Sequence, residues 1–473
     1  MQFCSSKCLH RLVREFPVLL LVLLWASCGD QFRPVATPLT PPPPDPQATH
    51  FVFVIDANGF ATNANGTVNA GSSTRIDVSG DTNIGIAQVG LGPVHAALLP
   101  NGTRIYVANS LEDTVSSYAP TNATAVTTSS LNAGSVPIFV ETTESGSVYV
   151  ANFGNNTVSA ISVASNVVSK TMTVGIAPVA LAETPNGQKV YIANQGNNGT
   201  NGSVSTINTV DKSVNLTIAG TTWLSPRSVA VRSDSQRAYA LDTGNSTITA
   251  IDTSTDAVTG IVPASGTGTG ADFMRYDARL NRLYVTSSTG ATVSILDASA
   301  DPPAPLTAAP LTISAGLPAS GQTDPCSGAA VTPVSVASLP DGTRAYVGSY
   351  RFVASSSALC SQISVINTSS NTVIATVSLG STTVNTANPN PTGCNTAASI
   401  PATPPFARFS VSLAASADSS RVYAANCDAG HTAIVRTLDN ALVLNLPAPL
   451  SNFKTANGAT PPPQNPVFIL AGP

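Results

Sequence analysis

The sequence predicts an all-β chain, a closed ring of eight four-stranded antiparallel sheets. Three observations predict it. Seven tyrosines recur in one strand-like context, alternating strands flank each of them in a fixed order, and no long stretch carries helical periodicity. Composition agrees: 42% of the 473 residues are hydrophobic but only 10% are charged. Ser, Thr, Asn, Gly, Val and Ala dominate, as in short strands joined by tight turns.

The tyrosines are Tyr106, Tyr149, Tyr191, Tyr239, Tyr284, Tyr346 and Tyr423, spaced by 43, 42, 48, 45, 62 and 77 residues. The first four spacings fit one supersecondary unit, and the last two fit that unit plus loop insertions. Each tyrosine follows a strand that usually opens with proline: Pro93, Pro137, Pro178, Pro226 and Pro333, with Ala271 and Ser410 in the remaining units. Turns such as Asn101-Gly102 and Asp341-Gly342 lie between, where a tight hairpin needs positive φ. A third strand with period-two alternation follows, as at Thr157-Val-Ser-Ala-Ile, and then a weaker fourth. One such sheet cannot bury both faces, whereas stacking sheets around an axis does so.

The ends supply the eighth sheet. Phe51-Val-Phe53-Val-Ile-Asp reads as a tyrosine-type strand with Phe53 in the tyrosine place, and Asn65-Gly-Thr-Val-Asn as its third strand. No proline strand precedes Phe51. Asn465-Pro466-Val-Phe-Ile-Leu matches one and has no tyrosine strand after it. The last segment is therefore expected to pair with the first and close the ring, removing two exposed edges. The expectation is a single β-propeller of eight blades, with seven as the alternative count.

The recurring Tyr-Val-Ala-Asn, then Asn-Thr-Val-Ser-x-Ile, then Gly-x-x-Pro, resembles the YVTN-type β-propeller repeat family. The resemblance runs from His50 to the end. It implies a propeller of the kind found among exported and surface-layer bacterial proteins, and no particular activity.

Residues 1–28 read as a targeting signal, 29–49 as a proline-rich tether and 50–473 as the propeller. Lys7, Arg11 and Arg14 precede an apolar run from Phe16 to Trp25, too short for an ordinary spanning helix. Ala26-Ser27-Cys28 resembles a bacterial lipobox, which predicts lipidation at Cys28. An ordinary cleaved signal is the alternative. The segment Pro34 to Thr49 reads as an extended spacer. The expected address is the periplasm or cell surface, with the lipid anchor as the sole membrane contact.

Four cysteines lie beyond the signal region, all in the two expanded units. Cys326 and Cys360 bracket one unit's first two strands, and Cys394 and Cys427 repeat the pattern in the next. This parallel placement predicts disulfides Cys326–Cys360 and Cys394–Cys427, one of three possible connectivities. An exported location favours oxidation. A zinc site is the alternative, but there is no CxxC or histidine pair to support it.

Net charge is −4, so composition signals no basic face for nucleic acid. No metal-ligand cluster, phosphate loop, dinucleotide fingerprint or Gly-x-Ser-x-Gly is placed where its chemistry needs it. No catalytic residue, metal or cofactor is therefore assigned. The ring's inner strands carry mostly Val, Ala, Leu and Ser. The exceptions are His95, Glu141, Glu183, Arg227, Asp272 and Arg275, which are the candidate ligand residues. Arg227 and Asp272 hold equivalent places on adjacent strands and are expected to pair with each other. The rim asparagines Asn109, Asn152, Asn194 and Asn426 are expected to cap turns. The expected function is a monomeric, non-catalytic binding or scaffolding propeller whose ligand or protein partner sits at the channel mouth. The alternatives are a lactonase-like hydrolase or quinoprotein-like oxidoreductase, and a surface-layer or adhesive protein.

Overall fold

In the computed structural model the described residues are 50–58, 70–143, 146–197, 201–264, 270–316, 322–383, 411–450 and 463–472. The targeting signal, Cys28, the tether and Cys394 lie outside them. No helix occurs among the described residues.

Eight antiparallel sheets form in the predicted strand order, except that in blade 6 two short segments, Ala304–Pro305 and Leu311–Thr312, share the fourth place. We number them as blades in chain order. Blades 2 to 8 begin at Pro93, Pro137, Pro178, Pro226, Ala271, Thr332 and Val411. Blade 1 comprises Phe51–Ala57, Ala70–Asp77 and Thr82–Leu91, and its innermost strand is Asn465–Ala471 from the other end of the chain. Val52 pairs with Ala471 and Ala57 with Asn465, so chain closure occurs as predicted. Each inner strand contacts the inner strand of the next blade, and the circuit closes from blade 8 through Asn465–Ala471 to blade 2. The ring therefore has eight blades.

One expectation needs correcting. The third strand of blade 1 is Ala70–Asp77, and Asn65-Gly-Thr-Val-Asn, expected there, lies outside the described residues. The observed segment fits because Ser72 and Thr74 repeat the Ser/Thr places that other third strands present to the rim, while Ile76 is buried. Gly71 is required there: a Cβ would lie 2.4 Å from Pro93 Cγ and 2.5 Å from the Asp56 carbonyl oxygen.

The core lies between blades. Each of the eight interfaces has its own apolar cluster, such as Phe53, Ile55 and Val89 against Ala96 and Val107, or Val52 and Ile76 against Tyr423 and Ile434. The seven repeat tyrosines are fully buried in these clusters. Their hydroxyls point to the turn before the outer strand of the following blade, where a buried phenol finds a partner. Tyr106 Oη donates to Asn166 Oδ1 at 2.9 Å, Tyr346 Oη to Asn440 Oδ1 at 3.0 Å and Tyr423 Oη to Asp81 Oδ1 at 3.0 Å. Those acceptors sit at positive φ, a conformation that Asn and Asp tolerate better than most residues. In blade 6 the arginine makes the reach instead, Arg282 Nη1 donating to Thr368 O and Asn371 Oδ1.

Cys326 and Cys360 form the predicted disulfide, with Cα atoms 6.2 Å apart. It ties the loop ahead of blade 7 to a hairpin, Arg344–Val353 with Ala358–Asn367, that is longer than its counterparts. The oxidised pair leaves no thiolate for zinc. Cys427 is also disulfide-bonded, while Cys394, its expected partner, lies outside the described residues.

Candidate functional site

The repeat places channel residues by register. Counting from the proline place, position 5 of each inner strand lies opposite the tyrosine place of the next strand. Around the ring, position 5 is occupied by Leu470, Ala97, Glu141, Ala182, Ala230, Arg275, Ala337 and Ala414. Five alanines leave room inside the ring at this level, and one acid and one base enter it. Position 3 carries Phe468, His95 and Phe139 on blades 1 to 3, with Phe273 on blade 6. Position 2 carries Arg227 and Asp272 on blades 5 and 6, nearest the rim where the inner strands begin. Glu183 is at position 6 of blade 4. All six predicted candidates thus lie on inner strands, distributed over successive levels of one channel.

At position 2, Arg227 and Asp272 influence each other's charge: each carboxylate or guanidinium favours ionisation of the other, against the burial that opposes it. They do not meet in an ion pair within 4.0 Å, which corrects the expected pairing. The reason is a competing bond, since Asp272 Oδ2 accepts the Ser288 backbone N–H at 2.7 Å. Arg227 Nε is buried with no acceptor among the described residues. The charge of Asp272 also reaches Tyr350, on the disulfide-tied hairpin of blade 7, as does that of Asp428 in blade 8. A run of electrostatic influence therefore links Arg227 in blade 5 through Asp272 and Tyr350 to Asp428 in blade 8, while position 2 itself is valine in blades 7 and 8.

At position 3, His95 is sandwiched by rings. Its centroid is 3.9 Å from that of Phe139, stacked at 24°, and 4.2 Å from that of Phe468. Its Nδ1 accepts the Val140 backbone N–H at 3.4 Å. Burial pushes its pKa down to about 3, so the imidazole is neutral over the ordinary pH range.

At position 5, Glu141 and Arg275 come from blades three places apart, yet each charge acts on the other across the channel. Burial pushes the Glu141 carboxyl up to about 8. A bond to the Glu183 backbone opposes this, the Glu183 charge adds to it and the Arg275 charge opposes it. Arg275 is exposed to the channel. Burial within the ring lowers its pKa, while Glu141 and Asp277 raise it.

The rim asparagines do something other than cap turns. Asn109 Nδ2 donates to Thr114 Oγ1 and Ser116 Oγ on the third strand, and its Oδ1 accepts the Gly90 N–H of blade 1. Asn152 and Asn194 bond the equivalent hydroxyls. These amides fasten the second strand to the third. Such cross-strand roles arise because the Ser/Thr places recur in register with the asparagine.

Sequence reading missed Phe139, Phe468, Tyr350 and Asp428. Aligning position 3 alone would have shown three consecutive rings, Phe468, His95 and Phe139. Tyr350 lies in the lengthened hairpin of blade 7 with no repeat partner to align, and Asp428 lies in an ordinary hairpin at a place where blades 2 and 3 carry Leu111 and Gly154.

The fold and channel define a class: an eight-bladed β-propeller with a mixed-charge, partly aromatic lumen. No protein-family model matches the chain, and no curated protein matches it. Solved structures do. Apo AztD from Citrobacter koseri is similar at 11% identity and TM-score 0.53, covering 89% of this chain and 98% of that one. The dihydro-heme d1 dehydrogenase NirN, in complex with DHE, is similar at 12% identity and TM-score 0.53, covering 85% and 73%. A putative 6-phosphogluconolactonase from Bacteroides fragilis NCTC 9343 is similar at 11% identity and TM-score 0.48, covering 91% and 100%. At these identities the likeness shows the fold alone.

Proposed function

We propose that this chain is a non-catalytic binding propeller of the YVTN-repeat type, exported and lipid-anchored through Cys28, which holds a ligand or partner at the channel mouth. One observation carries the reading: Arg227 and Asp272 stand side by side at that mouth without pairing, and Arg227 Nε is buried with no acceptor. A buried donor left unmatched costs about 1–3 kcal/mol, a cost that a bound ligand offsets. The polar hairpin tied down by Cys326–Cys360 adds a rigid wall beside it.

A thermal-shift screen against Ca²⁺, Zn²⁺, quinones, lactones and organic acids tests the reading. The expected result is a compound that raises the Tm of the wild-type protein, fails to do so for Arg227→Met, and is recovered chemically unchanged. Turnover of a lactone or reduction of a quinone would assign the channel to an enzyme instead. The absence of any shift across the screen, with envelope extracts yielding no partner that needs Arg227, would overturn it. Radiolabelled palmitate incorporation that survives Cys28→Ser would remove the anchor.

A further inference from the structure

Deeper in the channel, we propose that the lumen binds a small aromatic carboxylate, its carboxylate on Arg275 and its ring against the Phe468–His95–Phe139 face. This rests on the binding reading and names the ligand class.

Arg275 is flanked at its own level by Ala230 and Ala337 on the neighbouring inner strands. Neither can support a guanidinium. Among the described residues Arg275 makes no ion pair within 4.0 Å, although it is exposed to the lumen. Its charge is felt at Glu141 on the far wall. Glu141 is likewise flanked by Ala97 and Ala182. An arginine fork with free donors takes a planar carboxylate two-pronged, and such bonds are roughly twice as strong as neutral ones.

Glu141 makes the site favour an anion. Its carboxyl, held up to about 8, is protonated at neutral pH. It can then donate to a ligand carboxylate rather than repel it. Arg275 meanwhile makes no ion pair within 4.0 Å with Glu141 or with the neighbouring Glu183, whose charge helps to keep Glu141 protonated.

The ring half follows from the strand itself. Phe139 is two residues before Glu141 on one strand and on the same face. The offset is about 6.6 Å at 3.3 Å per residue. A carboxylate between Glu141 and Arg275 therefore places a ring on a short tether beside Phe139. There His95 and Phe468 continue a column of packed rings over three blades, a wall against which a ligand ring packs edge to face. His95 is neutral, so the face adds no competing cation.

Isothermal titration calorimetry with 3-phenylpropionate at pH 7 tests this. Acetate, which lacks the ring, and 3-phenyl-1-propanol, which lacks the charge, are controls. The expected result is saturable binding of the acid and at least tenfold weaker binding of both controls. Arg275→Met is expected to weaken the acid at least tenfold and Arg275→Lys less so. Phe139→Ala should reduce the discrimination against acetate. Wild-type affinity should fall as pH rises through about 8, where Glu141 ionises and takes Arg275 for itself, and Glu141→Gln should flatten that profile. The charged or titratable groups facing Glu141 are Glu183 on blade 4, Arg275 on blade 6 and His95 on blade 2.

Absence of binding by wild type, equal binding of the alcohol, or unchanged affinity in Arg275→Met overturns the inference. Thermal melts of each variant confirm folding, and Arg275→Lys keeps the test decisive if the methionine protein does not fold. Failure here leaves the mouth reading standing if a ligand dependent on Arg227 is found.

Discussion

Tyr191 Oη donates to Asp256 Oδ1 at 2.7 Å in the following blade, and Lys189 Nζ reaches the same oxygen at 2.8 Å. One carboxylate thus receives a phenol and an ammonium from the same strand of the preceding sheet. The pattern of a basic residue, one spacer and a tyrosine recurs in six of the eight blades, and at the Tyr149 interface the base comes from the other side, Lys212 Nζ donating to Tyr149 Oη. Tyr191→Phe removes a charge-assisted bond and is expected to cost about 1.5–3 kcal/mol. Urea melts followed by circular dichroism measure it. A change under 0.5 kcal/mol would mean that Lys189 alone holds Asp256.

The joint between blades 8 and 1 is built the same way but carries more. Arg421 Nε donates to Asp81 Oδ2 at 3.0 Å while Tyr423 donates to its other oxygen. Asp81→Ala strands both donors in a poorly hydrated place, and breaking a buried pair costs about 3–5 kcal/mol. Because Arg421 is partly exposed, the expected loss is near the lower figure. Deleting 465–473 should be worse, because it strips blade 1 of its inner strand and exposes a sheet edge. Size-exclusion chromatography of the truncated protein should show aggregation, and a cooperative monomer would contradict ring closure.

The Cys326–Cys360 bridge closes a loop with a sequence separation of 34. Loss of such a bridge costs about 2–4 kcal/mol. The double variant Cys326→Ser/Cys360→Ser, rather than a reducing agent, isolates this bridge from the one at Cys427. It also tests the buried Arg351, whose Nη1 donates to Asp324 Oδ2 at 2.7 Å and to Cys326 O at 3.0 Å. A drop in Tm with the fold intact is expected.

Asp56 stands where other blades place the rim asparagine. Burial pushes its pKa up to about 7, with Thr74 Oγ1 donating to it and opposing the rise. The folded form therefore holds a proton that the unfolded chain has released. Stability falls as pH rises from about 4 to about 7 and is level beyond. His95 acts oppositely: its pKa is lowered, so its contribution is complete above about 6.5 and is lost as pH falls towards 3. Asp56→Asn restores the amide, whose Nδ2 can donate to the Ser72 and Thr74 hydroxyls as in other blades. It should raise Tm at pH 8 and hardly at pH 4. An equal gain at both pH values would contradict the assignment.

Much of the architecture was legible because the repeat reports it many times over. The tyrosine strands, the proline-led inner strands, the eight blades and the terminal pairing all follow from residues recurring in phase. The Cys326–Cys360 link followed from the same phase. Contacts between repeats were not legible. Tyr106 and Asn166, or Tyr346 and Asn440, are 60 and 94 residues apart, and nothing within one unit marks them as partners. Arg227 and Asp272 show the opposite failure, since equivalent places on adjacent strands suggested a pair that the Ser288 amide diverts. The third strand of blade 1 was expected too early because Asn65-Gly-Thr-Val-Asn matches the consensus better than Ala70–Asp77, which pairs with Phe51–Ala57.

Blade 1 is assembled from the earliest and the latest parts of the ring to leave the ribosome. At roughly 5–20 residues per second, the hairpins at 51–91 wait tens of seconds for Asn465–Ala471 to arrive. Throughout synthesis their inner edge offers unmatched amides and carbonyls to any passing strand. The chain itself can match that edge only after residue 471 has been made, so the last blade to be completed is the one that holds the first residues of the ring.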